Sequence, residues 1–246
     1  MKVSTGSPIP RMDEPGRARR AHSCLPAAAG IGYVVVWAVG LMVWPHDLGV
    51  RSSAQTVAST YSLSASREAV QFILVEGLAG LLFTAVLLRA RRNTLRGRSG
   101  APFLVATTAV AALAASVAQC ALGLLLIRTA TQHQTLAAGS LLSMINHIDG
   151  AKMLLLAAAG AALMQTLGPA RGSRTTRWAL LVRIASAAAA TTLVISGVGY
   201  LTGSAALART VDLSGSLLLL WICLTGIWTT LAPAGAVSAG AEASSA

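Results

Sequence analysis

The chain alternates long apolar runs with short polar ones, and the apolar runs share one size. Six of them stand out, at about residues 25–45, 68–88, 101–127, 150–167, 178–201 and 211–232. Each is close to the ~20 residues that carry a helix, rising about 1.5 Å per residue, across roughly 30 Å of hydrocarbon. A barrel would instead show short segments alternating residue by residue, and none is visible. The pattern predicts an all-α, six-helix transmembrane bundle over 25–232, with the lipid bilayer as its surroundings. Residues 1–24 and 233–246 are polar, carry no apolar period and are expected to be disordered tails.

Composition strengthens this picture. The 246 residues are 54% hydrophobic and 11% charged, whereas soluble domains carry roughly 25% charged residues. The net charge of +11 would suit nucleic acid. The basic residues lie in short tracts between the apolar runs, however, so no nucleic-acid partner is expected. Their distribution sets the topology instead. Lys2, Arg11, Arg17, Arg19 and Arg20 precede the first run, and Arg89, Arg91, Arg92, Arg96 and Arg98 follow the second. Arg171, Arg174, Arg177 and Arg183 lie around the start of the fifth. The opposite side holds only Arg51, Arg67, Arg128, Lys152 and Arg209. The positive-inside rule places the first side, and hence both termini, in the cytoplasm of a bacterial cell. Arg19-Arg20 has the look of a twin-arginine signal. The following Ala21-His22-Ser23-Cys24 does not extend it, and no small-residue cleavage site closes the run, so the segment reads as a retained anchor. Trp44 and Trp178 stand where interfacial anchors belong. The Ala-rich third to fifth runs, with 157–162 and 187–190 as examples, should pack as the tight centre of the bundle.

Candidate chemistry is confined to a few polar positions. Asp13, Glu14 and Glu242 are in the tails, and the other five acids, Asp47, Glu68, Glu76, Asp149 and Asp212, all fall on the outer side or in the outer half. Glu76 lies inside the second run, where an ionisable group costs roughly 2.5–3.5 kcal/mol and needs a partner or a wet cavity. Gln119 has a matching depth in the third run, and Lys152 enters the fourth from the same side. In SMINHIDGAKM, Asn146, Asp149 and Lys152 recur every three residues, so Asp149 can pair with Lys152 at i,i+3. Glu76, Asp149 and Asp212 are therefore the candidate acid–base residues, and Gln119, Lys152, Asn146 and Trp37 the candidate binding residues. Ser196 and Tyr200, with Ser214 and Ser216, approach the same level. Two alternatives stay open: Glu76 as glue between helices, and Asp212 as a helix N-terminal acid favoured by the macrodipole.

No cofactor or metal is expected. Cys24, Cys120 and Cys223 are far apart, His46 and His133 read as solvated loop residues, and neither they nor His147 have ligand spacing. Walker, HExxH, GxSxG and CxxCH motifs are missing.

Residues 30–40 (GIGYVVVWAVG), Tyr61 and 71–78 (QFILVEGL) resemble a broad group of uncharacterised actinobacterial multi-helix membrane proteins. That resemblance covers the first third of the chain and implies a six-helix membrane domain without an activity. In kind rather than motif, the chain is similar to small membrane-embedded terpene cyclases. They are also compact helical bundles with acids in their helices, and one acid protonates a lipophilic isoprenoid. That likeness implies an enzyme acting on a lipophilic small molecule, with Glu76 and Asp212 in the acid roles and Glu76 the expected general acid. A scarcity of aromatic residues, 4% of the chain, tells against it. The alternative is a small transporter, an immunity component or a partner subunit.

Overall fold

A computed structural model describes residues 15–43, 48–94, 100–167 and 174–231. Trp44, His46, Asp47, residues 1–14 of the expected N-terminal tail and all of the expected C-terminal tail lie outside the described residues. Every regular element among those described is helical. α1 (Pro15–Val43) is followed by α2 (Ala54–Leu63) and α3 (Ala65–Phe72). A π-helical turn (Ile73–Leu78) then leads directly into α4 (Ala79–Thr94). α5 (Ala101–Thr131), α6 (Thr135–Thr166), α7 (Arg174–Thr202), α8 (Ala205–Ala208) and α9 (Val211–Leu231) complete the chain. Six helical stretches are long and apolar enough to span a membrane: 24–43, 65–93, 101–131, 135–166, 177–202 and 205–231. The helix of α1 already runs from Pro15, a residue well suited to a first turn.

The fourth span differs from expectation. It begins at Thr135, not near residue 150, because the polar stretch holding Asn146, His147 and Asp149 continues the helix. The reason lies in its other face. Ala138, Leu142 and Ile145 recur at helical spacing and are buried against Val57, Ala58 and Tyr61 of α2 and Leu126, Ile127 and Ala130 of α5. His147 points outward and its Nδ1 meets the Ser143 carbonyl oxygen at 2.7 Å. At 31 and 32 residues, α5 and α6 extend about 46–48 Å, longer than the hydrocarbon layer. Their linked ends and α2 thus form a small helical cap on one face of the bundle. Ser53 caps α2 by accepting from the Thr56 N–H at 3.2 Å, and His133, with φ 61°, makes the tight turn between α5 and α6.

The main core fills the space between α1, α4, α5, α6, α7 and α9. Its Ala-rich part, including Ala109, Ala112, Ala159, Ala162, Ala185 and Ala189, comes from α5, α6 and α7. The closest approaches use glycine. A Cβ on Gly150 of α6 would lie 2.8 Å from the Gly197 carbonyl oxygen of α7, and one on Gly226 of α9 would lie 2.5 Å from the Pro26 carbonyl oxygen of α1. Without water to drive association, such backbone proximity supplies the dispersion contacts that hold membrane helices together.

Candidate functional site

The π turn is set by packing on α5. Phe72 sits in a notch at Gly123, where a Cβ would meet its ring at 2.5 Å. Further along the same helix, Gly80 faces Ser116, whose Cβ would lie 3.1 Å from an added methyl. From 123 back to 116 is seven residues on α5, which is two turns and returns to the same face. From 72 to 80 is eight residues on the facing helix, which in a regular α-helix would rotate the second contact by about 80°. The extra residue is absorbed as a wider turn, closed by the Ala79 N–H donating to the Leu74 carbonyl oxygen. Single π turns of this kind recur at functional sites. This one contains Glu76, and Val75 beside it fills the space over Gly40 of α1.

Glu76 meets its partners at the level of Lys152, near the midpoint of α6. The lysine Nζ donates to Glu76 Oε2 at 2.7 Å and to Gln119 Oε1 at 2.7 Å, and pairs with Asp149 Oδ1 at 2.9 Å. An ammonium has three donors, and all three are used. Gln119 is oriented for this by its own Nε2, which donates to the Ile145 carbonyl oxygen at 3.4 Å. Ser116 of α5 lines the same cavity as Glu76. The side chains of Lys152, Glu76 and Asp149 are only 13%, 13% and 20% exposed. One cation thus stands among two carboxylates, leaving the ionised cluster one negative charge over.

The cluster forms part of the wall of a partly open cavity of about 580 Å³. Tyr33, Trp37 and Leu41, spaced at i, i+4 and i+8 on α1, line one side. Met153, Leu156, Leu193 and Leu218 give it an apolar floor. Leu41, near the end of α1, and Asp212 and Ser216, near the start of α9, are exposed and mark the mouth. The cavity gathers Tyr33, Trp37, Phe83 and Tyr200, four of the eleven aromatic residues of the chain. Tyr33 meets Phe83 edge-on, with ring centroids 6.3 Å apart at 86°. Tyr33 is 2% exposed.

The structure therefore brings together Glu76, Asp149, Lys152 and Gln119, and puts Trp37 and Asp212 on the same cavity. It places Lys152 in the middle of its span, deeper than the membrane entrance expected from the sequence. Asn146 is half-buried one turn before Asp149 and does not line the cavity. Ser196 and Ser214 are buried, and the Ser196 hydroxyl bonds Thr210 Oγ1 at 2.7 Å and Ser214 Oγ at 3.1 Å, so these tie α7 to α9. His133 is exposed in its turn. No group of three or more His, Cys, Asp or Glu residues suited to a metal occurs among the described residues. Tyr33, Ser116 and Phe83 were missed by sequence reasoning. Only Tyr33 carried a signal, its helical spacing from Trp37.

Nearer the cap, Glu68 is also buried, at 3% exposure. Tyr61 of α2 stacks on Phe72 at 6.3 Å and 21°. Burial, and after it the nearby Glu68 carboxylate, push the Tyr61 phenol well above its ordinary range. This links the cap to the start of the π turn through Phe72. No family model, no curated protein and no solved structure matches the chain.

Proposed function

We propose that this polytopic membrane protein is a carrier that binds a lipophilic small molecule in the cavity in exchange for a proton. The observation that carries the reading is the cluster of one lysine and two carboxylates at the cavity wall, near the middle of the bundle. A net charge held away from water is costly unless compensated. An added proton compensates it in the empty state, and a ligand can compensate it in the loaded one. A proton leaving as the ligand arrives couples the two. The volume falls in the range of small-molecule sites, and the mix of apolar floor and few polar groups is typical of them. The arginine bias supports a bacterial cell membrane location with both termini in the cytoplasm, and so a cavity facing the outer leaflet.

The acid–base enzyme acting on an isoprenoid-like molecule is the second reading. The aromatic walls favour it, since they would stabilise a carbocation. The Lys152 ion pair counts against Glu76 as its proton donor, which leaves Asp212 at the mouth as the candidate acid. Proteoliposomes with an imposed pH gradient separate the readings. A panel of cationic, neutral and anionic lipophilic compounds should include some that discharge the gradient with the natural protein and are recovered unchanged. Glu76→Gln should not support that discharge. If no compound acts beyond the Glu76→Gln background, the carrier reading fails, and chemical conversion of a compound would favour the enzyme.

A further inference from the structure

Resting on the reading that the cavity takes a small molecule, we infer that its ligand is a lipophilic monocation, an amine or quaternary ammonium on a hydrocarbon body. Three features converge on this class. The Glu76–Lys152–Asp149 cluster, once its proton has left, carries one negative charge more than Lys152 balances, and Lys152 has no donor left to offer an anion. Asp212 adds a third carboxylate at the mouth, so a cation is drawn along the whole path inward. Tyr33 is buried and belongs to the cavity wall.

The walls match the rest of such a molecule. Rings of Tyr33, Trp37 and Phe83 line the cavity, and aromatic faces attract an alkylammonium most strongly where water is scarce. A Cβ on Gly215 of α9 would lie 3.8 Å from the Trp37 ring, so the two meet at the cavity wall. Met153, Leu156, Leu193 and Leu218 offer a purely apolar surface to the hydrocarbon body. An anion would face three carboxylates, and a neutral molecule would leave the excess charge in place.

The test uses the full chain in nanodiscs, with binding measured as the excess over empty nanodiscs. Three probes share one shape: phenylbutyl-trimethylammonium, its uncharged isostere with carbon in place of nitrogen, and a carboxylate of the same length. The cation should bind at least ~10-fold more tightly than the isostere, a difference within reach of desolvated cation–π and ionic contacts. Asp149→Asn should remove most of that preference, and Tyr33→Phe should weaken the cation while leaving the isostere alone. Tyr33→Phe also serves if Asp149→Asn fails to fold. Equal or tighter binding of the isostere or the carboxylate overturns the ligand class, and the carrier reading then stands only if that binding still releases a proton. Cation binding without release of a proton does the reverse. Binding of no probe above empty nanodiscs overturns both.

Discussion

Replacing Lys152 by methionine should damage this protein far more than neutralising either acid it holds. Methionine keeps most of the volume of the side chain and removes three donors. Two carboxylates, 13% and 20% exposed, then lose their counter-charge, and the Gln119 carbonyl loses its partner. Stripping one partner from a buried ion pair costs roughly 3–5 kcal/mol. Single hydrogen bonds between membrane helices contribute about 0.6 kcal/mol on average. The cavity is partly open, so the stranded acids are not fully cut off from solvent, which favours the lower part of the range, and about 3 kcal/mol is expected. Asp149→Asn and Glu76→Gln act differently. Each leaves one carboxylate for one ammonium, and the new amide oxygen still accepts from Nζ, so each should cost no more than about 1 kcal/mol. The assay is reversible unfolding in mixed micelles as the mole fraction of denaturing detergent rises. A Lys152→Met protein as stable as the natural one would refute the reasoning. So would an Asp149→Asn protein that loses as much as Lys152→Met, because one acid would then be indispensable where charge balance makes it surplus.

Three further outcomes follow from the packing. Gly123→Ala puts a methyl 2.5 Å from the Phe72 ring and should cost about 1–3 kcal/mol in the same unfolding assay. Deleting Val75 removes the extra residue of the π turn. The helix should then run as a regular α-helix, keep Phe72 and Gly80 in register with α5 and lose the proton-linked discharge, which the proteoliposome assay reads. Tyr61 gives a pH signature. Its phenol is raised above the ordinary value of 10.0, so the folded state keeps the proton where the unfolded chain gives it up. Its contribution to stability is full below about pH 10 and falls as the pH rises past that point. Tyr61→Phe should flatten that part of the stability profile.

The membrane fold was legible because it rests on burial of apolar surface, which length and composition record directly. The meeting of Glu76, Gln119 and Lys152 was legible too, from counting depth along three runs and from the rule that an intramembrane charge needs a partner. Its level in the bundle was misjudged, because Asn146, His147 and Asp149 looked like a loop. The correct signal was on the opposite face, where Ala138, Leu142 and Ile145 keep a helical period. The π turn had no such signal. Nothing in ILVEGL demands it; it follows from the spacing of Gly123 and Ser116 on another helix. The cavity was hidden for a related reason. A low overall aromatic content does not reveal that Tyr33, Trp37, Phe83 and Tyr200 fold onto one cavity.

The eight-against-seven match between the second span and α5 has an evolutionary consequence. A regular helix and one with the wide turn differ by a single residue, so a one-residue insertion in an ancestral span would have produced it in one step. Descendants that lack the insertion should align with this chain across a one-residue gap at 73–78. Those same descendants should be free to lose Lys152, because the turn that presents an acid to it would be gone. Gap and lysine should therefore be inherited together, and the pair offers a marker for sorting future relatives into those that carry the charged cavity and those that carry only the bundle.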